Sequence, residues 1–354
     1  MDNLGIKDII HPPNLYTAYA GAMRVTIADV ARRARVSKAT VSRVLNNRGD
    51  VDAATAIRVR EVIAATGYTP SARAVGLAKG RAQTVGMLVP GLTWPWMGDV
   101  LQGVSDVLEA RGYGLLLSTM NRGPDSLTQF AKHVSANAFD GLLLVEPPDT
   151  LSYITQLHEG GLPMVMIDDR GHHPEFPSVA TSNRAGATDA ATHLLRTGRT
   201  HPAMITGPSQ FGCTRLRVDG FCSALDSAGV PFDDRLMVEG DFTRDSGLTA
   251  IREILATGLP FDSVFAHNDL MAVGVLDGLR SAGLQVPDDV ALVGFDDIAV
   301  ASHTQPALTT VHQPSHEMGA AAAGMLLSHL DGEPFPDEPL IVPTSFVVRE
   351  SAPE

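Results

Sequence analysis

Residues 25–46 read VTIADVARRARVSKATVSRVLN, and this stretch decides the fold of the N-terminal part of the chain. Thr26-Ile27-Ala28-Asp29 has the form of a helix N-cap followed by an acid at the third helical position, which can take back the cap's own N–H. Ile27, Val30 and Ala31 fall on one helical face. A second start follows within one tight turn. Ser37 is its N-cap, Val41, Val44 and Leu45 face inward, and Lys38, Ala39 and Arg43 point outward from the first two turns. A third helix runs from an Asp52 cap through Ile57, Val59, Val62 and Ile63 to a Gly67 stop. Two short helices joined by a turn, the second presenting Lys and Arg near its start, match a helix-turn-helix. The start of such a helix also aims backbone N–H groups at an anion.

The charge distribution agrees. The 354-residue chain carries a net −13, which alone argues against a nucleic-acid partner. Between Arg24 and Ala82, however, 12 Lys/Arg stand against four acids, a local +8 that leaves −21 for the remainder. This split predicts a basic, phosphate-binding module fused to an acidic domain that nucleic acid repels.

Val25 to Ala31 and Val36 to Asn46, followed by Gly67-Tyr68-Thr69-Pro70, resemble the DNA-binding headpiece of the lactose-repressor (LacI) family, and the resemblance continues along essentially the whole chain from Met23. It implies that Lys38, Ala39 and Arg43 read base edges in the major groove, while Thr26, Ser37, Thr40 and Ser42 mostly position the module on phosphates. Pro70 to Leu77 resembles the family's hinge helix, whose leucine wedges into the minor groove at the operator centre; Leu77 stands at that position. There are two departures. Val75 stands where the family commonly has Arg. Arg35 occupies a turn position where the family often has Gly or Asn, and left-handed backbone there costs a side chain roughly 1 kcal/mol, which a phosphate contact would offset.

From Thr84 the sequence alternates apolar runs with amphipathic helices. Strands are expected at Val85–Val89, Gly114–Ser118, Gly141–Val145, Met164–Ile167, Ala203–Thr206, Ser263–Ala266 and Val290–Val293. Helices are expected between them, for example at Val100–Ala110, Ala185–Arg196, Val218–Ala228 and Met271–Ala282. Repeated β-α units with continuous apolar strands mean parallel sheets covered on both faces, and the length calls for two doubly wound lobes. Ligands in such folds sit beyond the strand C-termini, here between the lobes. The strand ends are followed by Trp94-Pro95-Trp96, Asp168-Asp169-Arg170, Phe211 to Arg217, Asn268-Asp269 and Phe295-Asp296-Asp297. Rings stack on the C–H face of a polyhydroxylated ligand while carboxylates, amide and guanidinium pair its hydroxyls. The family resemblance implies the same pocket. Trp96 falls at the aromatic stacking site, Arg217 matches the arginine three residues before a glycine (Gly220), and Asp168, Phe242, Asn268, Asp296 and Gln313 fall on effector positions. The family often has Asn-Pro where this chain has Trp94-Pro95.

Rival chemistries find less support. Gly207 to Thr214 follows a strand as a P-loop would, but Cys213 stands in place of the lysine that nucleotide hydrolysis needs. His312 and His316 lie four apart with Glu317 beside them, without HExxH order or an obvious third zinc ligand. The acid pairs 168/169, 233/234, 288/289 and 296/297 could serve glycoside hydrolysis, yet adjacent acids point apart, and 233/234 and 288/289 sit in Pro-flanked turns. Cys213 reads as a buried structural thiol. No catalytic residue, cofactor or metal is expected.

Composition sets the remaining bounds. Hydrophobic residues at 44% and charged ones at 19% are ordinary for a globular chain, and no uninterrupted apolar run reaches membrane-spanning length. Two cysteines cannot build a disulfide framework and suggest a reducing compartment. Residues 1–22 contain Asp2, Lys7, Asp8, Pro12 and Pro13, unlike a signal peptide, so a cytoplasmic location is expected. The expected organisation is a 1–23 extension (an over-extended start or a disordered arm), a headpiece at 24–69, a hinge at 70–82, and an effector-binding and dimerisation domain at 83–354. Its lobes are roughly 83–180 with 312–340, and 181–311 with 341–354. The expected activity is that of a homodimeric repressor on a pseudo-palindromic operator, controlled by a small sugar or sugar derivative, without a membrane partner. A nucleobase effector, co-repressor dependence and a sugar receptor of the periplasmic type are the alternatives; the last predicts a signal peptide and no basic module.

Overall fold

The computed structural model describes residues 25–45, 50–68, 81–145, 151–168 and 176–354. The chain forms two compact units that divide between Ala82 and Gln83.

The first unit holds three helices, α1 (Ile27–Ala34), α2 (Lys38–Leu45) and α3 (Ala53–Thr66). The Thr26 capping box forms: Asp29 N–H donates to Thr26 Oγ1 at 3.3 Å, and Thr26 N–H donates to Asp29 Oδ2 at 3.0 Å. After α1, Arg35 turns the chain in a left-handed conformation (φ 55°, ψ 46°). Ser37 Oγ then accepts from Thr40 N–H at 3.1 Å to start α2. Asp52 caps α3 by accepting from Ala54 and Thr55 N–H, and Gly67 ends it. Val30, Ala31, Ala34, Val41, Val44 and Val59 form a small core, with Leu45, Val62, Ile63 and Tyr68 partly buried against it. Arg58 Nε ties α3 to the end of α1 by donating to Ala34 O at 3.0 Å. Ile57 faces outward at 55% exposure, so the third helix buries a narrower stripe than its apolar residues suggest.

The second unit contains two six-stranded sheets. In the first, β1 (Thr84–Val89), β2 (Gly114–Thr119), β3 (Gly141–Val145), β4 (Met164–Ile167), β5 (Ser178–Thr181) and β11 (Leu340–Val342) run in the order β11-β5-β4-β3-β1-β2, all parallel. In the second, β6 (Pro202–Thr206), β7 (Met237–Glu239), β8 (Ser263–Ala266), β9 (Ala291–Asp296), β10 (Thr309–His312) and β12 (Ser345–Val347) run in the order β12-β10-β9-β8-β6-β7, with β12 antiparallel. The chain crosses between sheets three times: after β5, after β10 and between β11 and β12. Strands such as β3 and β9 are buried along their whole length, as parallel strands covered on both faces must be.

Helices α4 (Met97–Ala110) and α11 (Ser315–Leu330) cover one face of the first sheet. They cross in close contact because Gly103 and Gly319 carry no side chain; a Cβ on either would run into the His316 or Val100 carbonyl of the other helix. In the second lobe, α7 (Asn183–Arg196), α8 (Gly212–Ser227) and α10 (Asp269–Ser281) bring their N-terminal turns to the strand C-termini. Each begins two to six residues before the apolar periodicity does, because those first turns face the space between the lobes and bury polar side chains such as Asn183, Arg217 and Asp269. Among the described residues no helix is long and apolar enough to cross a membrane.

Candidate ligand cleft and nucleic-acid interface

One cleft of the second unit is lined from the first lobe by Trp94, Pro95, Trp96 and Asp168, from the second by Phe211, Cys213, Arg217, Phe242, Asn268, Leu270 and Asp296, and from the crossover after β10 by Gln313. All seven residues expected from the sequence to contact an effector therefore converge on it. Trp94 and Phe211, read from the sequence as strand-end aromatics, join them, and so does Leu270, which the sequence did not point to.

The backbone that carries these groups is unusual. Asp168 (φ 77°), Phe242 (φ 67°) and Asp296 (φ 108°) are non-glycine residues with left-handed φ, three such residues on one wall system. Conformations of this kind cost of order 1–3 kcal/mol each and persist where surrounding structure enforces them. The enforcement is visible. Asp168 N–H donates to Val179 O at 2.8 Å, and Gln313 N–H donates to Asp296 O at 3.2 Å. Asn268 Nδ2 donates to Phe242 O at 2.9 Å, while its Oδ1 accepts from Met271 N–H at 2.9 Å as the cap of α10. Both ends of the Asn268 amide are thus engaged by protein, and its evident task is to hold Phe242. The Phe242 ring lies so close to Gly207 that a Cβ there would overlap it. That packing fills the loop which, in sequence, had the outline of a phosphate cradle.

The aromatic groups come in two pairs. Trp94 and Trp96 stack with centroids 5.7 Å apart and planes at 26°, and Phe211 and Phe242 lie tilted 5.9 Å apart. Arg217 stands between lobes and core, only 3% exposed. Its Nε donates to Asn183 Oδ1 at 2.8 Å, Nη1 to His267 O, and Nη2 to Gln313 Oε1 at 3.5 Å, and its Cζ sits 3.6 Å over the Phe295 ring. Asn183 and Phe295 are the supporting residues that sequence reading missed as such; both lie where a strand or helix end meets the cleft.

Electrostatics follow from burial. Burial pushes the Asp296 carboxyl up to about 7, against the pull of Arg217 and with the help of Asp168. Asp269, beneath it, is held well above the usual carboxylate range by burial and then by Asp296, although it accepts from Thr310 Oγ1 at 2.6 Å and Ile298 N–H at 2.9 Å. His267 is wholly buried and held well below its ordinary value by burial and by Arg217, so it is neutral. His312 and His316 do not act as a pair: His312 Nδ1 meets Asp297 Oδ2 at 3.2 Å, whereas His316 Nε2 meets Asp106 Oδ2 at 2.9 Å. Among the described residues no group of three His, Cys, Asp or Glu could hold a metal.

In the first unit, Lys38, Ala39 and Arg43 are exposed on α2. Arg43 Nε lies 3.4 Å from Asp50 Oδ2, a weak exposed pair that a base could displace. Ser37 and Thr40 share a hydroxyl hydrogen bond at 2.9 Å, Thr26 is held by Asp29, and Ser42 is half-buried. Leu77 and the rest of the hinge segment lie outside the described residues.

Comparison with known proteins follows the same division. Residues 26–71 match the family described as bacterial regulatory proteins, lacI family, and residues 191–352 match a periplasmic binding protein-like domain. Catabolite control protein A of Priestia megaterium is 31% identical over 330 residues, covering 93% of this chain and 99% of the relative. Among solved structures, a complex of the transcriptional regulator CelR with cellobiose superposes with a TM-score of 0.72 at 34% identity, covering 93% of this chain and all of that one. The lac repressor dimer bound to operator and the anti-inducer ONPF superposes with a TM-score of 0.83 at 25% identity, covering 94% of this chain and all of that one.

Proposed function

The chain belongs to the lacI family of bacterial regulatory proteins and is a DNA-binding transcriptional regulator; from that premise we propose that it is a homodimeric repressor whose operator affinity is controlled by a small sugar bound between its two lobes. The observation that carries the sugar reading is the convergence on one cleft of four aromatic rings with Asp168, Arg217, Asp296 and Gln313. Rings take the C–H faces of a sugar, and the polar groups take its hydroxyls. Cellobiose in the complex of the related regulator supports the same ligand class here.

In this reading two copies of α2 enter successive major grooves of a pseudo-palindromic operator, Arg43 and Lys38 read base edges with Ala39 alongside, and Thr26, Ser37, Thr40 and Ser42 fix the register on phosphates. Leu77 of each copy wedges into the minor groove between the half-sites. Sugar binding alters the approach of the two lobes and with it the separation of the paired hinges. Linkage requires that a sugar which weakens operator binding itself binds the DNA-bound state less tightly, by the same factor. In this reading the protein works in the cytoplasm, and its cleft binds its ligand without transforming it.

A thermal-shift screen of the purified chain against sugars, polyols, sugar acids, sugar phosphates and nucleobases tests the ligand class. A sugar at 100 times its Kd stabilises by about 2.7 kcal/mol, which is a shift of a few degrees for a unit of this size. A shift with nucleobases alone would overturn the sugar reading and make Trp96 and Phe242 base-stacking residues.

A further inference from the structure

We propose that the cleft selects uncharged sugars and rejects their anionic counterparts, uronates and sugar phosphates, because Asp168 and Asp296 line the same cavity and its arginine is committed to the protein. This inference rests on the sugar reading above and deepens it to a charge class.

The lining contains two carboxylates and, among the described residues, one basic group, Arg217. A site built for an anion presents a free guanidinium fork, or an ammonium, to two oxygens of the ligand. Arg217 cannot swing to do so. Its Nε and one hydrogen on each terminal nitrogen are given to Asn183, His267 and Gln313, and its face is pressed on Phe295. That leaves one N–H on each terminal nitrogen, in a cleft whose lining also holds two acids.

The cavity already resists a second negative charge. Asp296 keeps its proton up to about 7 although Arg217 pulls the other way, because burial and Asp168 outweigh that pull. A ligand carboxylate or phosphate in the same space would meet the same burial and both acids. A hydroxyl meets the opposite situation: it donates to Asp168 or to ionised Asp296, accepts from protonated Asp296, Arg217 or Gln313, and adds no charge. With Arg217 offsetting Asp168 and Asp296 about half ionised at neutrality, the described lining carries between no charge and one negative charge.

Isothermal titration calorimetry of the full chain, at pH 8 and pH 6, measures this with matched probes. These are glucose, galactose and ribose against glucuronate, galacturonate and ribose 5-phosphate, with cellobiose as a further neutral sugar. The expected result is a neutral sugar binding at least 30-fold more tightly than its matched anion at pH 8. The ratio should be smaller at pH 6, where Asp296 holds its proton, and should fall several-fold in Asp296→Asn and in Asp168→Asn. Two variants are used so that one misfolded protein does not decide the matter. An anion that binds as well as its neutral partner overturns the charge selection and leaves the sugar reading intact. Absence of binding by every sugar, charged or not, overturns the sugar reading and this inference with it.

Discussion

Replacing Arg217 by Met tests the electrostatic core of the cleft. Met keeps most of the side-chain volume, so the loss is mainly three hydrogen bonds from a charged donor and the charge itself. Hydrogen bonds to charged groups contribute about 1.5–3 kcal/mol each and are not additive. Removing one partner of a buried ionic arrangement costs about 3–5 kcal/mol. The latter range is the expected loss at pH 8. The pH dependence follows from Asp296. Its folded pKa, about 7, lies above the ordinary 3.8, so between these values the folded state binds more protons than the unfolded one and stability falls as pH rises. Without Arg217 the carboxyl is held higher still, and the fall continues past pH 7. Arg217→Met should therefore cost more at pH 8 than at pH 6, by up to about 1.4 kcal/mol, because the parent protein already loses about as much over that span as its own Asp296 ionises. Asp296→Asn in that background should recover most of the difference. Urea unfolding at both pH values, followed by the fluorescence of Trp94 and Trp96, the chain's two tryptophans, provides the assay. A loss below about 1 kcal/mol, or an equal loss at both pH values, refutes the reasoning.

Four further outcomes are expected. Arg43→Ala should weaken operator binding by about 1–3 kcal/mol and relax preference at one base pair, read by anisotropy on a set of single-substitution operators; uniform weakening on all of them would make Arg43 a phosphate contact. Leu77→Ala should lower specific affinity and DNA bending together, and unchanged bending in a circular-permutation gel assay would remove the wedge. Arg35→Gly relieves a left-handed side-chain-bearing residue at some cost in unfolded-state entropy, so headpiece melting should rise by the equivalent of about 0.5–1 kcal/mol. Gly319→Ala, which meets the Val100 carbonyl, should destabilise by about 1–3 kcal/mol or more. By contrast Gly324→Ala on the same helix, facing open space, should stabilise by up to about 1 kcal/mol; calorimetric melting of both variants tests the pair.

Much of this architecture is legible in the sequence because its signals are local. The Thr26–Asp29 box, the Asp52 cap and the left-handed turn at Arg35 depend on neighbours within four residues. The seven strands read from apolar runs are strands in the structure. Those overlooked are only three or four residues long. β10 is Thr-Thr-Val-His, and its buried threonines are satisfied only by distant partners: Thr309 Oγ1 donates to Arg349 O, and Thr310 Oγ1 to Asp269 Oδ1. β5, β7, β11 and β12 are three or four residues long and carry too little pattern to stand out. The cleft residues were legible as strand-end chemistry, but their division of labour was not. Asn268 lines the cleft, as its place at a strand end suggests, but that its amide also holds the Phe242 carbonyl and caps α10 is visible only in the fold. Asn183 has no signal in its own segment, because its meaning comes from Arg217, 34 residues later.

If the regulator works as proposed, occupancy of the cleft and occupancy of the operator are coupled. The most direct test of that coupling is an anisotropy titration of the full chain against a palindromic operator selected from a random pool, at fixed salt, with and without a saturating sugar found by thermal shift. Operator affinity should change by about 5–150-fold when the sugar is bound. The change should be lost in Trp96→Ala while sugar-free operator affinity is kept. A sugar that binds the chain yet leaves the operator isotherm unmoved would contradict the coupling.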